Sequence, residues 1–163
     1  MNLDLINPDV EFPDAFALAY AMEDGLQRFY LVLEQEESRE ELKALYKRLA
    51  GFEDLHKERL LKEYQDMDSE GVSPDQYLNQ NRDAIEGGEL IKDTPVTIVS
   101  EMHNLIDILS LGMSIETQSL DLYTRLAEKS TDKNVKNLFL DLADEEKQHL
   151  NFITVEMDKH VAA

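Results

Sequence analysis

The residues of this chain best suited to chemistry are two histidines, each one helical turn after a glutamate: Glu53-x-x-His56 and Glu146-x-x-His149. The same dipeptide precedes each pair in the same register, Leu49-Ala50 in the first copy and Leu142-Ala143 in the second, at an offset of 93 residues. Residues three apart on a helix share a face, so each copy presents a carboxylate beside an imidazole. Both side chains are ligands for divalent cations. Two further glutamates obey the same offset. Glu23 and Glu116 each stand seven residues before a tyrosine, Tyr30 and Tyr123, and each interrupts an apolar helical stripe.

The elements that must carry these residues follow from periodicity. Phe16, Ala19, Glu23, Leu26, Tyr30 and Leu33 recur in steps of three and four, as do Leu42, Leu45, Leu49, Glu53, His56 and Leu60. That spacing predicts two amphipathic helices. Asp14, following Pro13, suits a helix start, and Ser38-Arg39-Glu40-Glu41 has the form of a capping box opening the second helix. A short turn between long helices makes them antiparallel neighbours. The second pair repeats the first without a gap: Asp107, Glu116, Tyr123 and Leu126 match Asp14, Glu23, Tyr30 and Leu33, and Thr131 falls where Ser38 did. Leu138, Leu142, Glu146, His149 and Ile153 match Leu45, Leu49, Glu53, His56 and Leu60.

Between the hairpins the pattern fades, with breakers at Ser73-Pro74, Gly87-Gly88 and Thr94-Pro95 and a candidate short helix over 74–84. A segment this long is explained by a crossover running the length of a bundle. The expected architecture is all-α: one domain over 1–163, with a hairpin at 14–70, a crossover at 71–104 and a duplicated hairpin at 105–160. Four helices with one long crossover make a four-helix bundle.

Composition narrows the function classes. A formal net charge of −19, from 35 acidic against 16 basic residues, repels phosphate backbones and argues against nucleic-acid binding. The same field concentrates cations. With no cysteine among the 163 residues, disulfides, thiolate catalysis, iron–sulfur clusters and thiolate zinc sites are excluded from them. No segment approaches a membrane span, and the N-terminal residues lack the pattern of a signal peptide, so the expected location is the cytoplasm.

Glu23, Glu53, His56, Glu116, Glu146 and His149 are therefore polar residues at core positions. Four buried carboxylates would repel one another and lose their hydration, at several kcal/mol each. Two divalent cations balance four negative charges, with one imidazole per metal. Two single-Glu helices plus two Glu-x-x-His helices is the ligand pattern of di-iron and di-manganese carboxylate bundles. This donor set suits iron(II) or manganese(II) better than copper or structural zinc, although zinc can occupy such a site. Tyr30 and Tyr123 are candidates to orient a ligating carboxylate through their hydroxyls; ordinary packing with the hydroxyl at an edge is the alternative. His103 and His160 read as surface residues.

At this point the residues resemble a family. The order Glu23…Tyr30, Leu49-Ala50-x-x-Glu53-x-x-His56, Glu116…Tyr123, Leu142-Ala143-x-x-Glu146-x-x-His149 is similar to the rubrerythrin branch of the ferritin-like superfamily, over about 14–65 and 107–158. The resemblance implies a ferritin-like fold, two iron ions per chain and a homodimer. It also implies reduction of hydrogen peroxide or O2, or oxidation of iron(II), as defence against oxidative stress. Rubrerythrins commonly carry a four-cysteine rubredoxin domain that feeds electrons to the pair. The absence of cysteine here implies a separate electron-donor protein. They also carry an extra glutamate about one turn past the first on the third helix, where this chain has Ser119. The resulting six-ligand set is symmetric, as in bacterioferritin, and favours ferroxidase or oxidase chemistry. An iron-handling protein and a non-catalytic metal-binding accessory domain are the alternatives.

Overall fold

The computed structural model describes residues 12–67 and 104–161, all of them in or beside four α-helices with no strand. The helices are α1 (Phe12–Glu36), α2 (Glu40–Met67), α3 (Leu105–Lys129) and α4 (Lys133–Val161). They fall into two compact units, one holding α1 and α2, the other α3 and α4. Within each unit the two helices pack on one another. The crossover with its candidate short helix lies outside the described residues, as does His103.

Helix α1 starts at Phe12, two residues before the expected Asp14. Pro13 then sits in the first turn, where its missing N–H has no intrahelical partner to lose. Helix α3 is capped by Asn104, whose side chain accepts from the Ile106 N–H at 2.9 Å. The sequence reading passed over that cap.

The turn between α1 and α2 corrects the predicted capping box. The Lys43 N–H bonds to the Arg39 carbonyl at 2.9 Å, so Arg39, not Ser38, occupies the cap position and α2 opens at Glu40. Glu37 organises the turn instead. Its Oε1 accepts the backbone N–H groups of Ser38 and Arg39, each at 2.9 Å. Both carboxylate oxygens also take the Arg39 guanidinium, at 2.9 and 2.8 Å. An ionised carboxylate gathering that many donors outcompetes a serine hydroxyl. The hydrogen bond from Arg39 holds the Glu37 carboxyl below its ordinary range.

The second turn has the same backbone with different side chains. Ser130 N–H reaches the Leu126 carbonyl at 3.0 Å just as Glu37 N–H reaches Leu33 at 3.0 Å. Asp132 stands where Arg39 did and caps α4 itself, its Oδ1 accepting from Asn134 N–H at 2.8 Å and Val135 N–H at 3.1 Å. Thr131, in the place of Ser38, is exposed. Asp132→Ala is expected to cost about 1 kcal/mol, read as a melting temperature lowered by a few degrees.

The buried stripe of α2 is Leu42, Tyr46, Leu49, Glu53, His56 and Leu60, and that of α4 is Val135, Phe139, Leu142, Glu146, His149 and Ile153. The predicted Leu45 and Leu138 are only half-buried, while their neighbours Tyr46 and Phe139 are fully inside. A strict alternation of steps of three and four, extended backward from Glu53 and Glu146, passes through 46 and 139. It also places the larger rings in the core. Phe139 stacks on Tyr123 of α3, with centroids 5.9 Å apart and planes 17° from parallel.

Gly51, one residue past the Leu-Ala pair, is exposed in mid-helix, and a Cβ built there meets nothing within 4 Å. Gly51→Ala is expected to stabilise the protein by about 1 kcal/mol through helix propensity alone, seen as a higher melting temperature. The outer edges of the hairpins differ. Lys57 reaches from α2 to Asp24 at 3.1 Å and lies 5.7 Å from the Tyr20 ring centroid, and Gln27 donates to Asp54 at 2.8 Å. The second hairpin has Leu150 and Leu120 where Lys57 and Gln27 stand. No helix among the described residues is long and apolar enough to cross a membrane.

Candidate metal centre

In the first hairpin, α1 contributes Glu23 and α2 contributes Glu53 and His56, all three 0% exposed. His56 Nδ1 lies 3.1 Å from Glu23 Oε2 and 3.1 Å from Glu53 Oε2. In the second, α3 contributes Glu116 and α4 contributes Glu146 and His149, each at most 2% exposed. His149 Nδ1 lies 3.4 Å from Glu116 Oε2 and 3.1 Å from Glu146 Oε2. The one-turn spacing of Glu-x-x-His brings the helix-borne pair together. The facing glutamate arrives because the three-residue turn sets its helix antiparallel in register.

Each triad is thus a convergence of three donor atoms, one nitrogen and two oxygens, lying within 4.8 Å of one another. A single Nδ1 carries at most one proton, which one good hydrogen bond would consume. Two carboxylate oxygens at nearly equal short range are better explained by a shared cation. For metal–ligand bonds of about 2.1 Å, adjacent ligands of an octahedron stand about 3.0 Å apart, close to the spacing observed. The donor set fits iron(II) or manganese(II), which take carboxylate and imidazole ligands.

The electrostatics point the same way. Burial, reinforced by the charge of Glu146, raises Glu116 from an ordinary 4.5 to about 8, against the opposing pull of His149. Without a cation, Glu116 is therefore protonated at neutral pH. A divalent ion supplies the positive charge that stabilises the ionised form.

All six predicted ligand residues are buried, three per hairpin. Tyr30 and Tyr123 are also fully buried, seven residues beyond Glu23 and Glu116 on the same helical faces. His160 stands apart, exposed at the end of α4, with Nε2 3.1 Å from Glu156 Oε1. Two buried polar residues, Glu156 and Ser130, escaped the sequence reading. Glu156, 6% exposed, continues the α4 stripe one heptad past His149. Burial pushes its carboxyl up, but Lys159 and His160 together outweigh that and leave it below its ordinary range. Ser119, 0% exposed, continues the α3 stripe one turn past Glu116. Heptad spacing from His149 and Tyr123 could have found Glu156 and Ser130.

The family model for rubrerythrin matches residues 14–157, which takes in both triads and most of the chain. The chain belongs to the rubrerythrin family. A stretch of 59 residues, 36% of this chain, is also 37% identical to a ferritin-like-encapsulin shell fusion protein of Pyrococcus furiosus. The match spans only 16% of that relative's length. No solved structure gives a significant match. For this rubrerythrin-family protein the fold class is all-α and ferritin-like, built from two helical hairpins. Its buried glutamate and histidine triads are compatible with di-iron binding.

Proposed function

We propose that Glu23, Glu53, His56, Glu116, Glu146 and His149 hold two iron ions, and that the protein is a di-iron oxidoreductase reducing hydrogen peroxide or O2. The observation that carries the reading is the pairing of each buried imidazole nitrogen with two buried carboxylate oxygens at 3.1 to 3.4 Å, once in each hairpin. Family membership supports joining the two triads in one bundle. Four carboxylates then balance two divalent ions, and each ion has one imidazole.

Bound iron would supply the electrons and the Lewis acidity that reduction of an O–O bond requires. The protein's own residues bind and orient. The histidines fix one nitrogen per ion, and the glutamates, rigid in the stripe but with two oxygens each, accommodate changes in coordination. Tyr30 and Tyr123 hold ligating carboxylates in place through their hydroxyls. The apolar stripes around each triad exclude bulk water. Reduction of hydrogen peroxide to two waters consumes two electrons and two protons. These 163 residues contain no cysteine for a rubredoxin-type iron, so the electrons enter from outside them, and we propose a separate donor protein as the source. We further propose a homodimer working in the cytoplasm.

A second reading, that iron(II) is itself the electron source and the protein is a ferroxidase, is favoured by the symmetry of the triads and by Ser119 in place of a fifth carboxylate. Anaerobic iron(II) titration of metal-free protein, followed by mixing with hydrogen peroxide or O2, tests both. Saturation at two ions per chain and a faster reaction with peroxide support the peroxidase. A faster reaction with O2 and consumption of iron(II) beyond two per chain support the ferroxidase. Failure to bind two ions removes both and leaves a non-catalytic accessory domain.

A further inference from the structure

Ser119 stands out among the hydroxyls of the four helices. Thr117, Thr124, Ser130 and Thr154 each donate to the carbonyl four residues earlier, at 2.6 to 2.8 Å. That back-bond is a common way for a hydroxyl in a helix to find an acceptor. The Ser119 Oγ makes no such bond and has no hydrogen-bond partner among the described residues, although the residue is 0% exposed. A buried hydroxyl left without a partner costs about 1–3 kcal/mol, and in native proteins it is generally met by a water or a ligand.

Its place in the duplication says what kind of group that is. At the offset of 93 residues its counterpart is Leu26, fully buried in the first hairpin. The second hairpin has thus exchanged a large apolar side chain for a small polar one at the same point of the stripe. The exchange replaces a large side chain by a small one and adds a donor one turn from Glu116, on the helical face that also carries Tyr123. A small ligand with an acceptor atom would use the donor that the exchange provides.

We propose that Ser119 Oγ is the hydrogen-bond donor for a small oxygen ligand, water at rest and the peroxide-type oxidant in reaction, seated beside Glu116 in the second hairpin. This rests on the di-iron reading and extends it by placing the oxidant on one side of an otherwise symmetric site. Oxidant held by a neutral donor keeps its own proton, whereas a carboxylate there would accept it. Serine therefore acts as a positioning residue.

Azide is the probe, a three-atom anion that binds iron beside donors of this kind and gives a visible charge-transfer band. The air-oxidised, iron-loaded protein is titrated with azide alongside Ser119→Ala, Ser119→Thr and Ser119→Leu, after iron stoichiometry and circular dichroism have been measured on each. Loss of one hydrogen bond weakens azide binding by about three- to tenfold in Ser119→Ala, with iron content unchanged. Threonine keeps the affinity, and leucine, which restores the residue of the first hairpin, abolishes binding. Equal azide affinity in the wild-type protein, Ser119→Ala and Ser119→Leu, all loaded with two irons, overturns the Ser119 assignment and leaves the di-iron site intact. Failure of the wild-type protein to take up iron overturns the di-iron reading, and this one with it.

Discussion

His149→Ala and Glu53→Ala are each expected to weaken iron(II) binding by more than about 100-fold. Mutating only the outer partners of metal ligands typically costs 10–100-fold, and these variants remove a donor atom outright. One substitution falls in each hairpin, so the pair also tests whether the two triads act together. If they form one di-metal centre, either variant lowers the uptake of both ions. If each triad binds alone, each variant loses one ion and keeps the other. Helical content by circular dichroism stays close to wild type, because both positions are flanked by the apolar stripe that holds the hairpin. His160→Ala serves as the control. Its imidazole pairs with Glu156 at the end of α4, and iron content there is expected to be unchanged. Unchanged stoichiometry in both Glu53→Ala and His149→Ala would overturn the ligand assignment.

The metal-free protein is expected to lose stability as pH rises, the reverse of the usual carboxylate behaviour. Glu116 titrates near 8 in the folded chain, raised from 4.5 by burial and by Glu146. Between those values the folded state keeps a proton that the unfolded state has released. Stability therefore falls from about pH 4.5 upward and levels off above about pH 8. The full contribution is on the order of several kcal/mol, enough to separate melting temperatures at about pH 5.5 and pH 8.5 clearly. Glu116→Gln, which keeps the shape and cannot ionise, is expected to flatten the curve. Iron reverses the sign, since protons compete with the ion for the same oxygens. Loaded protein is expected to lose iron as pH falls. A metal-free protein more stable at pH 8.5 than at pH 5.5 would contradict the raised carboxyl.

The local cooperation of these residues was written in the sequence. A repeat in register over 93 residues is visible as text, and Glu-x-x-His on a 3.6-residue period leaves the two side chains no choice but to share a face. Polar residues within apolar stripes marked Glu23, Glu53, His56, Glu116, Glu146 and His149, because charge at core positions demands compensation. The all-α class followed from the same stripes. Helix ends were less legible. Both turns involve choices among nearby donors and acceptors of similar strength: Glu37 displaced Ser38, and Asp132 rather than Thr131 caps α4.

Only the tertiary structure decided the rest. Whether Leu45 or Tyr46 enters the core depends on how α2 rotates against α1, which periodicity constrains only to within one residue. The corresponding rotation of α4 against α3 placed Phe139 against Tyr123. The spacing between His56 and Glu23, residues 33 apart in the chain, depends on the turn that returns α2 alongside α1. The ionisation of Glu116 depends on how completely its surroundings exclude water and on the distance to Glu146, neither of which has a signature in residue order. Ser119 shows the difference most directly. As a letter it is a missing glutamate. Folded, it is a buried hydroxyl with no partner among the described residues, and that follows only from what surrounds it.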